Sequence, residues 1–182
     1  MLQAYSFIIV ACILSCYVSI QYVSSQCIDD QKSLLLEFRN TLEFNISHST
    51  KLVSWNASTD CCLWGGVTCD PSNGQVIGLN LLFEGITGGI GSSSSLFRMH
   101  SLQNLGLANN YINGVIPSSI TALHQLEYLY LSSNNFSGPI PSFSSTKNLR
   151  ELSLSGNKVS GSIASTNWEE LVYLKTLDLS NN

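Results

Sequence analysis

LEYLYLSSNNFSGPIP, from Leu126 to Pro141, is one unit of a repeat that runs from Val76 to Asn182. Its first half fixes a strand. Leu126, Leu129 and Leu131 are apolar, alternating at the 129/131 step, and Asn134 closes the strand with an amide that both donates and accepts hydrogen bonds. Its second half, Phe136, Gly138, Ile140 and Pro141, turns the backbone away. The same frame reads Leu102, Leu105, Leu107, Asn110, Gly114, Ile116, Pro117 one unit earlier and Leu149, Leu152, Leu154, Asn157, Gly161, Ile163 one unit later. Stacked repeats bury their apolar faces on their neighbours, so a period of 23 to 26 residues in a chain of 182 predicts a solenoid rather than a single globular core.

Eight basic and 12 acidic residues give a formal charge of −4, and no Lys or Arg cluster occurs, which argues against a nucleic-acid partner. Charged residues are only 11% of the chain while Ser, Asn and Gly abound, which suits a secreted surface kept soluble by hydroxyls, amides and glycans. Residues 1–25 carry no charge, and FIIVACILSCYVSI from Phe7 to Ile20 is apolar apart from two serines, the length and flanks of a signal-peptide core. Val23, Ser24 and Ser25 place small residues at a cleavage point, so the mature chain is expected to begin near Gln26. An uncleaved membrane anchor is the competing reading, and the run is short for a span. Cys12 and Cys16 leave with the peptide.

Residues 26–75 read as a small capping domain. Asp29 or Asp30 is expected to N-cap a helix that puts Leu34, Leu35, Phe38 and Leu42 on one face, covering the open end of the solenoid. Trp55 and Trp64 are expected to pack in the same place. Four cysteines remain, Cys27, Cys61, Cys62 and Cys69, an even number behind a secretory signal. Neighbouring Cys61 and Cys62 rarely bond each other, which leaves 27–61 with 62–69, or 27–62 with 61–69, each bridge contributing ~2–4 kcal/mol. A metal site finds no support, with no CxxC and no nearby His. Asp70 to Gln75 reads as a turn between the strand-like runs Gly66 to Cys69 and Val76 to Leu81. The first unit then has Glu84 where later units have Asn.

The segment from Cys27 to Asp70, with WNASTDCCLWGGVTCD, resembles the N-terminal cap of plant extracellular leucine-rich-repeat proteins, and units of the form LxxLxLxxN followed by SGPIP or NGVIP resemble their plant-specific repeat. Together they are similar to the ectodomains of receptor-like proteins and receptor-like kinases, with polygalacturonase-inhibiting proteins as relatives. The resemblance implies an α/β solenoid: a right-handed leucine-rich-repeat superhelix with short parallel strands on its concave face and a disulfide-bonded cap. It also implies the 27–61 and 62–69 pairing. Residues 76–182 then hold four full units and one incomplete. The departures are Glu84, Ala164 in a proline position, and a last unit, LKTLDLSNN, that stops at its asparagine and suggests a piece of a longer receptor. Any membrane contact would come through a segment beyond Asn182.

In each strand the leucines point into the stack, so the residues between them line the other face beside their equivalents one repeat away. These columns read Gly78, Asn104, Tyr128, Glu151, Thr176, then Asn80, Gly106, Tyr130, Ser153, Asp178, then Leu82, Ala108, Ser132, Ser155, Ser180. Tyr128 and Tyr130, as an exposed aromatic pair, are the leading ligand-binding candidates, with Asn104, Glu151, Ser153 and Asp178 beside them. Asn110, Asn134, Asn157 and Asn182 belong to the frame instead, since amides turned inward must bond the backbone at the strand exits, and in the family such residues form a ladder. Asn45, Asn56 and Asn135 head sequons and are candidate glycan sites. Catalysis finds little support. His48, His100 and His124 are scattered, Asp29/Asp30 and Glu169/Glu170 are neighbouring carboxylates at a helix start or in a loop, and Gly88, Gly114, Gly138 and Gly161 recur as turn residues. The expected function is a binding module without cofactors in the apoplast, secreted or on the extracellular face of the plasma membrane. It would take a protein, peptide or glycan ligand, with a co-receptor as a further partner, in defence or cell-surface signalling. The alternatives are an inhibitor of a secreted microbial polygalacturonase and a truncated wall-associated scaffold.

Overall fold

The computed structural model describes residues 25–163 and 168–182. The expected signal peptide, save Ser25, and the departure at Ala164 lie outside the described residues. Helix α1 spans Asp29–Thr41, and the strands follow as β1 (Glu43–Phe44), β2 (Val67–Cys69), β3 (Val76–Asn80), β4 (Ile86–Gly88), β5 (Asn104–Gly106) and β6 (Tyr111–Val115). Then come β7 (Tyr128–Tyr130), β8 (Asn135–Pro139), β9 (Glu151–Ser153), β10 (Lys158–Ser160) and β11 (Thr176–Asp178).

Two sheets run along the solenoid. One has the order β11-β9-β7-β5-β3-β2 and the other β1-β4-β6-β8-β10. Each ends at the cap on an antiparallel strand, β2 against β3 and β1 against β4, whereas repeat pairs with repeat in parallel. In the first sheet Leu79, Leu105, Leu129, Leu152 and Leu177 are in register. The first four are fully buried, so the leucine column is the continuous core that a stack of small units needs.

The second sheet was not expected from the sequence, which reads its residues as a turn. Each of its strands from β4 to β10 contributes one buried apolar residue, namely Ile86, Ile112, Phe136 and Val159. A single inward residue gives no alternation to detect. The turn character is nonetheless present: Gly88, Gly114, Gly138 and Gly161 all have positive φ, and they bend each unit after or within its second strand.

The helix face is largely as expected. Leu35 and Phe38 are fully buried, and Leu34 and Leu42, the latter just past the helix, are half-buried against the same core. The N-terminus is different. Ile28 holds the capping position without a side-chain cap, because its carbonyl accepts from the Lys32 N–H and its own N–H is tied to the Gly74 carbonyl. Asp29 and Asp30 lie inside the first turn, where their charge favours the helix dipole but caps nothing. Trp55 and Trp64 are buried and stacked, with ring centroids 5.2 Å apart. Their indole N–H groups donate to the Gly65 carbonyl and to Thr59 Oγ1. The disulfides are Cys27–Cys61 and Cys62–Cys69, the pairing the resemblance implied. The four sulfurs lie within 4.8 Å of one another, but both bridges consume the thiols, leaving no thiolate for a metal.

Glu84, which departs from the repeat, fastens the cap to the solenoid. Its carboxylate is buried, and it accepts from Ser49 Oγ at 2.5 Å, from Thr50 Oγ1, and from the N–H groups of Thr50, Lys51 and Leu52. Where a later unit's asparagine meets both carbonyls and N–H groups, the cap presents donors around this carboxylate, and an acceptor-only side chain satisfies them. Burial pushes the Glu84 pKa up, but the hydrogen bonds from Ser49, Lys51 and Leu52 and the Lys51 charge outweigh it and hold the group below its usual value.

Candidate functional site

Parallel pairing puts Gly78, Asn104, Tyr128, Glu151 and Thr176 in one row and Asn80, Gly106, Tyr130, Ser153 and Asp178 in the next. The strip is lined by these two rows because the leucines between them point inward. Tyr128 and Tyr130 are half-buried rather than fully exposed, with ring centroids 6.5 Å apart and planes 24° apart. Tyr130 Oη donates to Glu151 Oε2 at 2.7 Å, one repeat away. Burial, the Glu151 hydrogen bond and charge, and Tyr128 push the Tyr130 hydroxyl up to about 12, so it stays a donor throughout the physiological range. The ring is thereby held in one orientation before any partner arrives, which reduces the ordering cost of binding.

On one side of Tyr130 the register neighbour is Gly106, where an added Cβ would lie 2.6 Å from Leu82 Cδ1. Gly106 is buried under that leucine, so the Leu82 side chain covers the backbone beside the aromatic ring. Beyond Tyr130 the strip is hydroxyl-rich and acidic. Ser153 and Ser155 hydroxyls lie 3.4 Å apart, and Asp178 accepts from the Ser180 N–H and hydroxyl. Those bonds, with one from Ser155, hold the Asp178 carboxyl below its usual range. At the cap end Lys51, which the sequence reading did not select, donates to the Leu82 carbonyl and Asn80 Oδ1. Only the fold brings a cap lysine to that row. Asn104 is exposed at the start of β5.

The ladder residues stand apart from this strip. Asn110 Oδ1 accepts from the N–H groups of Glu84 and Ile86, and Nδ2 donates to the carbonyls of Leu81, Leu107 and Ala108. Asn134, Asn157 and Asn182 repeat the pattern, each donating to a carbonyl of the preceding unit and accepting from Ile112, Phe136 and Val159 in turn. The residue before each rung, Phe83, Asn109, Ser133, Gly156 and Asn181, has φ between 54° and 64°, a requirement no sequence pattern announced. Asn45, Asn56 and Asn135 are all exposed, and none lies on a strand of the concave sheet. His48, His100 and His124 remain in separate segments.

Residues 28–70 match the leucine rich repeat N-terminal domain, and residues 92–136 and 148–167 match leucine rich repeats. Receptor-like protein 47 of Arabidopsis thaliana is 41% identical over 60% of this chain. The chain belongs to the leucine-rich-repeat receptor-like proteins of plants. Among solved structures, the BIR2 ectodomain from Arabidopsis thaliana covers 85% of this receptor-like chain with 80% of its own, at a TM-score of 0.73 and 29% identity. The ectodomain of the Arabidopsis thaliana receptor kinase GASSHO1/SCHENGEN3, in complex with CASPARIAN STRIP INTEGRITY FACTOR 2, matches 82% of the chain with 18% of its own, at a TM-score of 0.72 and 35% identity. The chain spans only 14% of Receptor-like protein 47 and 16% of Receptor-like protein 50. Among the described residues no helix is long and apolar enough to cross a membrane.

Proposed function

We propose that this chain is a ligand-sensing N-terminal part of a plant cell-surface receptor-like protein, taking an extracellular protein or peptide on the concave strip centred on Tyr128, Tyr130 and Glu151. The observation that supports this reading most is the Tyr130–Glu151 hydrogen bond, which fixes the ring beside Leu82 and Gly106. It offers a fixed aromatic wall, an apolar neighbour in Leu82 and an acidic one in Glu151 on one face, the kind of anchor in which a few residues carry most of the binding energy. Asn104, Ser153 and Asp178 extend the contact along the same rows. The GASSHO1/SCHENGEN3 ectodomain, similar in fold, was solved in complex with CASPARIAN STRIP INTEGRITY FACTOR 2, which supports a binding role. The setting we propose for it here is the apoplast, in defence perception with a co-receptor.

Panning the secreted chain against a phage-displayed library of linear peptides tests this. Peptides so selected are expected to lose affinity at least about tenfold on Tyr130→Ala, the loss of one anchoring aromatic. Unchanged affinity would remove Tyr130 from the site.

A further inference from the structure

At the rim between the two sheets, beside the cap, lies a cavity of about 230 Å³ lined by His48, Phe83, Gly85, Asn109 and Tyr111. Two of these residues are anomalous. Phe83 has φ 60° and is 67% exposed, whereas three of the other four residues before a rung, Asn109, Gly156 and Asn181, are types that tolerate left-handed backbone. Tyr111, from the next repeat, is also 67% exposed. A strained backbone that turns an aromatic ring outward next to a second exposed ring implies something that covers them.

Asn45 identifies what does. It heads the sequon Asn45-Ile46-Ser47, is exposed, and its backbone N–H donates to the Gly85 carbonyl. Its Oδ1 accepts from the Ser47 N–H, a bond in which the amide nitrogen Nδ2 takes no part. Gly85 has φ 65°, and a Cβ there would sit 3.3 Å from His48 Cβ and 3.6 Å from Asn45 Cβ. Gly85, which lines the cavity, thus has Asn45 and His48 as immediate neighbours, while Asn45 itself lines a second hollow with Leu42, Phe44 and Thr87.

We propose that an N-linked glycan on Asn45 seats its first sugar in this cavity, with the apolar C–H face of the pyranose on Phe83 and Tyr111 and its acetamido and hydroxyl groups toward Asn109 and His48. Rings supply flat apolar area, and convergent amide and imidazole groups supply orientation. In the attachment step Asn45 Nδ2 loses a proton and bonds to the anomeric carbon of a polyprenyl-diphosphate-linked oligosaccharide, with the polyprenyl diphosphate leaving. The seated sugar bridges the cap loop, the first repeat and the second.

This inference rests on the extracellular reading, and one experiment separates the two. The chain is secreted from plant cells and digested under native conditions with a peptide-N-glycosidase that tolerates core fucose, and glycan loss at each sequon is followed by peptide mass spectrometry. Release at Asn45 is expected to be at least about tenfold slower than at Asn56 or Asn135, as for a contact worth one decade of equilibrium constant. Phe83→Gly, which suits the left-handed backbone, and Tyr111→Ser should each bring Asn45 close to the reference sites. Equal release at all sites, slow release that survives both substitutions, or an Asn45 left bare while Asn56 or Asn135 carries a glycan would each overturn the inference. A secreted chain bare at all three sequons would overturn the inference alone, whereas failure of the chain to be secreted would overturn the extracellular reading.

Discussion

Replacing Glu84 with alanine is expected to destabilise the union of cap and repeats by about 3–5 kcal/mol, the range for breaking a buried, charged hydrogen-bond network from one side. The substitution leaves the hydroxyls of Ser49 and Thr50 and the N–H groups of Thr50, Lys51 and Leu52 without their acceptor. Ser49 and Leu52 are buried, so water cannot simply take the place of the carboxylate. Glu84→Asn, which restores the residue type of the later units, is not expected to rescue stability, because the shorter side chain brings an NH2 group toward donors. Denaturant unfolding of a Trp168→Phe background, followed by the fluorescence of stacked Trp55 and Trp64, reports the cap directly. The acid dependence carries a sign. A folded carboxyl held below its unfolded value contributes stability that is complete above the ordinary glutamate pKa and is lost as pH falls through the folded value. Asp70 and Asp178 are also lowered, so the slope assignable to Glu84 is the difference between wild type and Glu84→Gln below about pH 5.

Asn110→Ala is the second large effect, with an expected loss of about 3 kcal/mol from several backbone groups left unpaired at ~1–3 kcal/mol each when not compensated. Asn110 is the rung on which Glu84 itself depends, since its Oδ1 accepts the Glu84 N–H. The two substitutions should therefore be non-additive, and a double-mutant cycle in the same unfolding assay measures the coupling. Asn110→Asp separates geometry from chemistry. It preserves shape but turns a donor into a carboxylate facing the carbonyls of Leu81, Leu107 and Ala108, and it is expected to be at least as damaging as alanine at neutral pH. Stability equal to wild type for Asn110→Asp would show that the rung is filled space rather than a hydrogen-bonded joint.

What was legible in the sequence was whatever recurs. Leu105, Leu129 and Leu152 mark a column because they return at one spacing, and the asparagines after them mark the rungs for the same reason. The rows of the concave strip follow from alternation once that column is set, so the neighbourhood of Tyr128, Tyr130 and Glu151 could be written down before any coordinates. What could not be read depends on contacts between segments that do not repeat. Glu84 looked like a lapse in the frame because nothing near it in sequence reveals that residues 49–52 aim their donors at it. Ile28 displaced Asp29 and Asp30 from the cap position through a bond to Gly74, far along the chain. The strand around Phe136 looked like a turn because it buries one residue and signals its bend with Gly138. Tyr130 was expected to be exposed, and its burial comes from the hydrogen bond and packing that orient it.

Ligand binding on the concave strip is open to one direct measurement. Hydroxyl-radical footprinting of the secreted chain, with and without a saturating peptide selected from the phage library, reads the oxidation of individual aromatic residues by mass spectrometry. Protection of Tyr128 and Tyr130, with Phe83, Tyr111 and Tyr173 unchanged by the peptide, is the predicted result. Protection that spares the tyrosine pair and falls on the cap or on the β6–β8 face would contradict it.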